Sequence, residues 1–212
     1  VISLKYDTAY GFEDGLAIVL LNGKWGFINN AGLEVIPLQF EYGLSFSDGL
    51  AVIQKDDKQG FINRKGQVVI PIKYFMADSF SEGLAAVTEL NGCRQFIDKT
   101  GQEIISLGLG YDNPPIMEFR EGLVAVESNK KWGFIDRKGQ EVIPLKYDYV
   151  ASFYEGLARV KLNGKWGFID RKGQEVIPLK YSTVTDFSEG LAWACLKDGF
   201  YIGKDGTEYY ES

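Results

Sequence analysis

With 212 residues, 45% of them hydrophobic and 25% charged, the chain has the make-up of a globular protein able to bury about 70% of its unfolded surface. Its net charge of −6, with Lys and Arg interspersed among Glu and Asp, argues against nucleic acid as the main partner, because phosphate binding needs a basic stripe. The absence of histidine excludes Ser-His-Asp and Cys-His chemistry and every His-bearing metal site, and no apolar run approaches the ~20 residues of a membrane helix.

The segment Phe-x-(Glu/Asp)-Gly-Leu recurs six times, with its glycine at Gly15, Gly49, Gly83, Gly122, Gly156 and Gly190. Successive glycines lie 34, 34, 39, 34 and 34 residues apart, the signature of stacked units that cannot bury their apolar faces alone. The chain therefore reads as one repeat domain over 1–212, in approximate units 3–36, 37–70, 71–105, 106–143, 144–177 and 178–210.

Within the fifth unit, a short extended stretch from Tyr147 to Val150 leads to Phe153. In Gly156–Leu162, Ala158, Val160 and Leu162 alternate with Arg159 and Lys161, the period of a half-buried strand. Asn163-Gly164 then predicts a type I′ hairpin turn, and Lys165–Asp170 returns as a second strand. Asp170-Arg171-Lys172-Gly173 predicts another turn, since Asp bonds forward to the backbone and Gly supplies a left-handed residue. A third strand, Glu175–Ile177, runs into Pro178, which belongs at a strand edge or end. No segment sustains a 3.6-residue apolar period, so the fold class is all-β, with three or four short strands per unit.

The string Asn163-Gly164-Lys165-Trp166-Gly167-Phe168-Ile169-Asp170, followed by Gly173 and Glu175-Val176-Ile177-Pro178, resembles the bacterial WG-repeat (KWG-repeat) family over essentially the whole chain. Full Trp-Gly pairs stand at Trp25-Gly26, Trp132-Gly133 and Trp166-Gly167; the other units read Gln59-Gly60, Arg94-Gln95 and Gly199-Phe200. The resemblance implies a β-repeat module and supplies no catalytic residues. Val1–Tyr6 and Gly206–Tyr210 meet at one point of the repeat, which favours a closed six-bladed propeller-like ring that removes exposed edges. An open β-solenoid of stacked hairpins is the alternative, since 34 residues is short against the ~40–50 of familiar propeller repeats.

The recurring Phe and Leu of Phe-x-Glu-Gly-Leu are expected in the core. Trp25, Trp132 and Trp166 read as structural beside their glycines, with sugar-stacking platforms as the alternative. Asp98, Asp136 and Asp170 share their phase with Asn29 and Asn63, which cannot act as glycosidase acids but can cap turns. The acids Asp14, Asp48, Glu82, Glu121, Glu155 and Glu189 predict a solvated rim, or a site for cationic ligands. No Walker or dinucleotide fingerprint is present, and neither Cys93 nor Cys195 has an evident activating base. The expectation is a non-enzyme without cofactor or metal. The chain starts at Val1 without a Met or a signal pattern, which leaves a removed leader and a trimmed chain both open, and the compartment, cytoplasmic or exported, with them.

Function is expected where the repeat breaks. Four extra residues fall between Ile105 and Phe119 and one near Asn91-Gly92-Cys93, and the stretch Ser106–Met117 is predicted to project as a loop. Its Tyr111, Asp112, Asn113 and Met117 are candidate contacts. Trp193 in the degenerate sixth unit joins them, because it takes the phase of Arg159, read as pointing away from the core. The leading reading is a scaffold that binds a protein partner, with no nucleic acid and no membrane insertion; the alternative is a glycan or cell-wall binding protein using exposed aromatics.

Overall fold

The period-2 segments form strands throughout, and among the residues described by this computed structural model, 5–108 and 118–210, every regular element is a strand. The chain divides into two compact units, 1–109 and 110–212, each a series of antiparallel sheets whose strands pair in sequence order. In the first unit, sheet 1 holds β1 (Thr8–Glu13), β2 (Leu16–Leu21), β3 (Lys24–Asn29) and β4 (Glu34–Phe40). Sheet 2 holds β5 (Tyr42–Gly43), β6 (Leu50–Lys55), β7 (Lys58–Asn63) and β8 (Val68–Tyr74). Sheet 3 holds β9 (Met76–Ala77), β10 (Leu84–Thr88), β11 (Arg94–Asp98) and β12 (Glu103–Gly108).

In the second unit, sheet 4 shows three strands among the described residues, β13 (Leu123–Ser128), β14 (Lys131–Asp136) and β15 (Glu141–Tyr147). Sheet 5 comprises β16 (Tyr149–Val150), β17 (Leu157–Leu162), β18 (Lys165–Asp170) and β19 (Glu175–Tyr181). Sheet 6 comprises β20 (Thr183–Val184), β21 (Leu191–Cys195), β22 (Gly199–Gly203) and β23 (Glu208–Tyr209).

The turns form as their residues dictate. Asn163 and Gly164 both take positive φ, 51° and 78°, as a type I′ turn requires. The Asp170 carboxylate accepts from the Lys172 and Gln174 N–H groups at 2.9 and 2.8 Å, and Asn29 does the same for Ala31 and Leu33. The carboxyls at this phase are therefore turn caps. Asp98 is held below the usual carboxylate range, first by the Thr100 hydroxyl and then, against a small opposing desolvation, by backbone N–H groups.

The last strand runs further than its proline suggests. In β4, β8, β15 and β19 the chain continues through Pro37, Pro71, Pro144 and Pro178 to a closing aromatic. Each of these is the outer strand of its sheet, where a missing N–H is tolerated. The proline sits in a deep bulge: Trp25 pairs with Phe40 and Phe27 with Ile36, so Pro37, Leu38 and Gln39 stand opposite Gly26 alone. A Cβ on Gly26 would lie 2.7 Å from Ile36 O and 2.8 Å from Leu38 N. The glycine of each Trp-Gly pair is thus the place where the bulged neighbour's backbone crosses the strand.

Successive sheets within a unit pack through a repeated set of contacts. Phe27 meets Phe46 and Phe61 meets Phe80 in the first unit; Phe134 meets Phe153 and Phe168 meets Phe187 in the second. All four pairs have tilted or edge-on rings with centroids at 4.8–4.9 Å, the arrangement that the ring quadrupoles favour. Two of the residues expected in the core lie outside it. Phe12 and Leu191 are each 42% exposed, because the contact each makes elsewhere in the repeat comes from an adjoining sheet. Leu157, at the phase of Leu191, lies in a cluster with Phe187 of the following sheet.

Candidate binding surfaces

Two aromatic grooves open beside the tryptophans. In the first unit, Tyr10 on β1 stacks on Trp25 of β3, with centroids 6.0 Å apart and planes inclined by 26°. Together with Tyr42 of β5 they line a cavity of about 480 Å³, whose wall also carries Glu13, Ser45 and Ser47. Tyr10 and Tyr42 are exposed. Partial burial pushes the Tyr42 phenol up, and Tyr10 and the Asp78 charge push the same way.

In the second unit, Tyr149 of β16 stands between Trp132 of β14 and Trp166 of β18, at centroid distances of 5.9 and 5.5 Å. Asp148, Tyr149, Arg159, Lys161, Gly164 and Trp166 enclose a cavity of about 530 Å³. The Arg159 guanidinium lies 5.4 Å from the Trp166 ring centroid and the Lys161 ammonium 5.6 Å, both within cation–π range. Arg159 also donates to Asp186 Oδ1 at 2.7 Å and to Val184 O at 3.2 Å. Asp148 accepts from Lys131 Nζ at 2.6 Å and the Asn163 N–H at 2.7 Å, and the Lys131 hydrogen bond is the main cause that depresses its carboxyl. The groove therefore presents a half-exposed ring between fixed charges of both signs.

The six repeated acids have a different task from a solvated rim. All take positive φ, from 51° to 54°, directly before a glycine that also has positive φ. From that turn Asp14, Asp48, Glu121 and Glu155 reach the following sheet in their own unit. The Gly83 N–H donates to Asp48 at 2.6 Å, and the Gly156 and Gly190 N–H groups donate to Glu121 and Glu155 at 3.0 Å. Cations of the following sheet complete the clasp: Arg64 pairs with Asp14 and Lys204 with Glu155, both at 2.8 Å. Lys204 is the chief reason the Glu155 carboxyl is depressed.

Sheet 3 replaces the tryptophan by Arg94, and Asp78 stands at the phase of Leu44 and Ala151. Asp78 is buried, and desolvation raises its carboxyl to about 6 against the opposing pull of Arg94. Among the described residues no group of three or more Cys, Asp or Glu is placed to hold a metal. Nor is there a helix long and apolar enough to cross a membrane.

Of the candidate contacts from the repeat breaks, Tyr111, Asp112, Asn113 and Met117 lie outside the described residues. Trp193 is 36% exposed, but for another reason than its phase. Ile18 and Val52 occupy the same phase and are fully buried against the next sheet, so that phase does not by itself point away from the core. Sequence reasoning passed over Tyr10, Tyr42 and Tyr149; the signal was the aromatic at the same step of the short leading strand in Tyr42 and Tyr149.

The family model described as "WG containing repeat" matches residues 1–25, 25–58, 60–92, 96–132, 132–166 and 166–200. No curated protein matches the sequence. Among solved structures, the chain is similar to the computationally designed Ika8 protein, with a TM-score of 0.53, 15% identity, and 95% of this chain and 70% of that one covered. It is also similar to BamB from Moraxella catarrhalis, with a TM-score of 0.53, 11% identity and coverages of 95% and 72%. Hsv2p from Kluyveromyces lactis gives a TM-score of 0.52, 11% identity and coverages of 79% and 61%. At such identities the likeness carries the fold alone, and that fold is propeller-like.

Proposed function

The chain belongs to the WG-repeat family, and from its open aromatic grooves we propose that it is a non-enzymatic binding module that holds a protein partner. The observation that carries this reading is the Tyr149 groove, where an exposed ring lies between Trp132 and Trp166 and beside Arg159, Lys161 and Asp148. Aromatic and Arg side chains in a partly desolvated recess are the usual centre of protein interfaces, and charges of both signs suit a peptide's own groups. The repeated carboxylates support the non-enzymatic reading, since they are engaged as turn caps and intersheet clasps. No cofactor and no nucleic acid enter this role.

A glycan is the second reading, supported by the first-unit groove, where the Tyr10–Trp25 stack is flanked by Glu13, Ser45 and Ser47. A peptide-display library and a glycan array, each probed with the wild-type chain and with Tyr149→Ala and Tyr10→Ala chains, separate the two. Peptide binding lost by Tyr149→Ala supports the protein partner; glycan binding lost by Tyr10→Ala alone refutes it in favour of sugar.

A further inference from the structure

The two aromatic grooves hold the same kind of ring and differ in what lies over it. In sheet 5, Arg159 and Lys161 stand opposite Phe168 and Trp166, and both cations lie over the Trp166 ring. In sheet 1 the same two places, opposite Phe27 and Trp25, hold Ile18 and Leu20. Among the described residues no Lys or Arg lies over Tyr10, Trp25 or Tyr42, although cations cover the rings of Tyr6, Tyr74, Tyr147, Tyr154 and Tyr181. The face of Trp166 is thus served from within the chain, and the three rings of the first-unit groove are not.

That groove also carries an unmet charge. Its wall, all of it within the first unit, includes Glu13 and neither Lys nor Arg. Among the described residues the Glu13 carboxylate has no hydrogen bond or ion pair, whereas the adjoining Asp14 is taken by Arg64 at 2.8 Å. The rings come from three strands, β1, β3 and β5. Tyr10 and Gly11 stand opposite Ile18 alone, a bulge of the kind that re-aims a side chain, and Tyr10 stacks on Trp25. The recess of about 480 Å³ is within the size range of small-molecule sites.

An aromatic face attracts a cation through the negative side of its quadrupole, more strongly as water is excluded. A primary ammonium is compact and strongly hydrated, and rings cannot replace that water. An alkylated ammonium is less hydrated and asks only for apolar faces and a countercharge. We propose that the Tyr10–Trp25–Tyr42 groove is a binding site for an alkylated ammonium group, with the rings about its methyl groups and Glu13 as its countercharge. Choline and a trimethylated lysine side chain carry the same head, and the groove reads that head in either. This goes beyond the protein-partner reading, which rests on the Tyr149 groove.

The test is calorimetric titration of the wild-type chain with choline and with neohexanol, its uncharged isostere. Choline is expected to bind at least about tenfold more tightly than the alcohol. Tyr10→Leu should weaken choline by a similar factor and Glu13→Gln by several-fold. Leu20→Lys puts an ammonium at the place of Lys161 and should abolish choline binding, because the chain's own cation then covers Trp25. Circular dichroism verifies folding, and Glu13→Gln, an exposed change that keeps the side chain's shape, decides the matter if either other variant unfolds. A trimethyl-lysine peptide titrated beside choline identifies the source: tighter peptide binding points to a protein's modified side chain, tighter choline binding to a free compound, and both require the groove. A wild type that takes up no choline at millimolar concentration overturns the inference, and so does equal binding of the alcohol. Choline binding that Tyr149→Ala removes and Tyr10→Leu keeps overturns it as well, as does glycan binding lost by Tyr10→Leu in a chain that ignores choline.

Discussion

Replacing Gly167 by Ala tests why a glycine follows the tryptophan. The new Cβ would stand 2.6 Å from Ile177 O and 2.8 Å from both Leu179 N and Pro178 C, all backbone atoms that cannot rotate away. Relief requires the bulged part of β19 to retreat by several tenths of an ångström, and that strand carries the fully buried Ile177 and Tyr181. Overpacking of this kind costs about 3 kcal/mol, offset by about 0.5–1 kcal/mol from the stiffer unfolded chain. The net loss of roughly 2 kcal/mol lowers Tm by about 4–8 °C for a chain of this size. Calorimetry should be run beside Gly60→Ala, where the added carbon would stand 2.7 Å from Ile72 Cα although the preceding residue is Gln59. Equal losses mean that the glycine answers to the bulge. If Gly60→Ala melts as the wild type does while Gly167→Ala is destabilised, the glycine answers to the tryptophan and the reasoning is refuted.

The Asp78 carboxyl, raised to about 6, stabilises the fold fully while it is neutral, below its unfolded value near 4, and loses that contribution as pH rises through 6; the span is roughly 3 kcal/mol. Asp78→Asn should therefore flatten the fall in Tm between pH 4 and 6.5, and an unchanged slope would place the burial argument in error. Glu155 is shifted the opposite way, so its support for the clasp is present above about pH 4.5 and fades as pH falls through its depressed value. Glu155→Gln should lower Tm modestly at pH 7 and in a salt-sensitive manner, and by less as pH falls toward 3; an equal drop at both pH values would show that charge plays no part. Tyr149→Ala should weaken a peptide selected on the wild-type groove by at least tenfold while the circular dichroism spectrum is retained, and unaltered affinity by titration would move the binding surface elsewhere.

Local chemistry made much of the fold legible. Asn163-Gly164 and Asp170–Gly173 announce their turns because their backbone needs are met within four residues, and the alternation in Gly156–Leu162 announces a strand in the same way. The continuation of β19 past Pro178 was hidden, because a proline ends most strands and only the register, Trp166 with Tyr181 and Phe168 with Ile177, shows that this one bulges opposite Gly167 instead. The clasp was hidden for a different reason. Glu155 and Gly190 lie 35 residues apart, and periodicity reports that each position repeats without reporting which copies touch. The exposure of Phe12 and Leu191 follows from the same gap: a repeat assigns a residue to an interface but does not say whether a neighbour stands across it.

The breaks in the pattern then become informative about both structure and binding. Sheet 3 has Gln95 for the glycine, and Gln95 pairs directly with Ser106 in a strand that has lost the proline. Sheet 6 has Phe200, and its β23 is reduced to two residues with no bulge. Trp-Gly's glycine and Ile-Pro's proline are therefore kept or lost together, as two ends of one contact, which leaves neither free to serve a ligand. The positions that do vary without disturbing that contact lie on the short leading strand, at Thr8, Tyr42, Met76, Tyr149 and Thr183, and two steps on, at Tyr10, Leu44, Asp78, Ala151 and Thr185. Both grooves draw rings from these positions. A scaffold that fixes its sheets by one set of phases and varies another can change its partner without changing its fold, and it is in the second set that binding specificity should be sought.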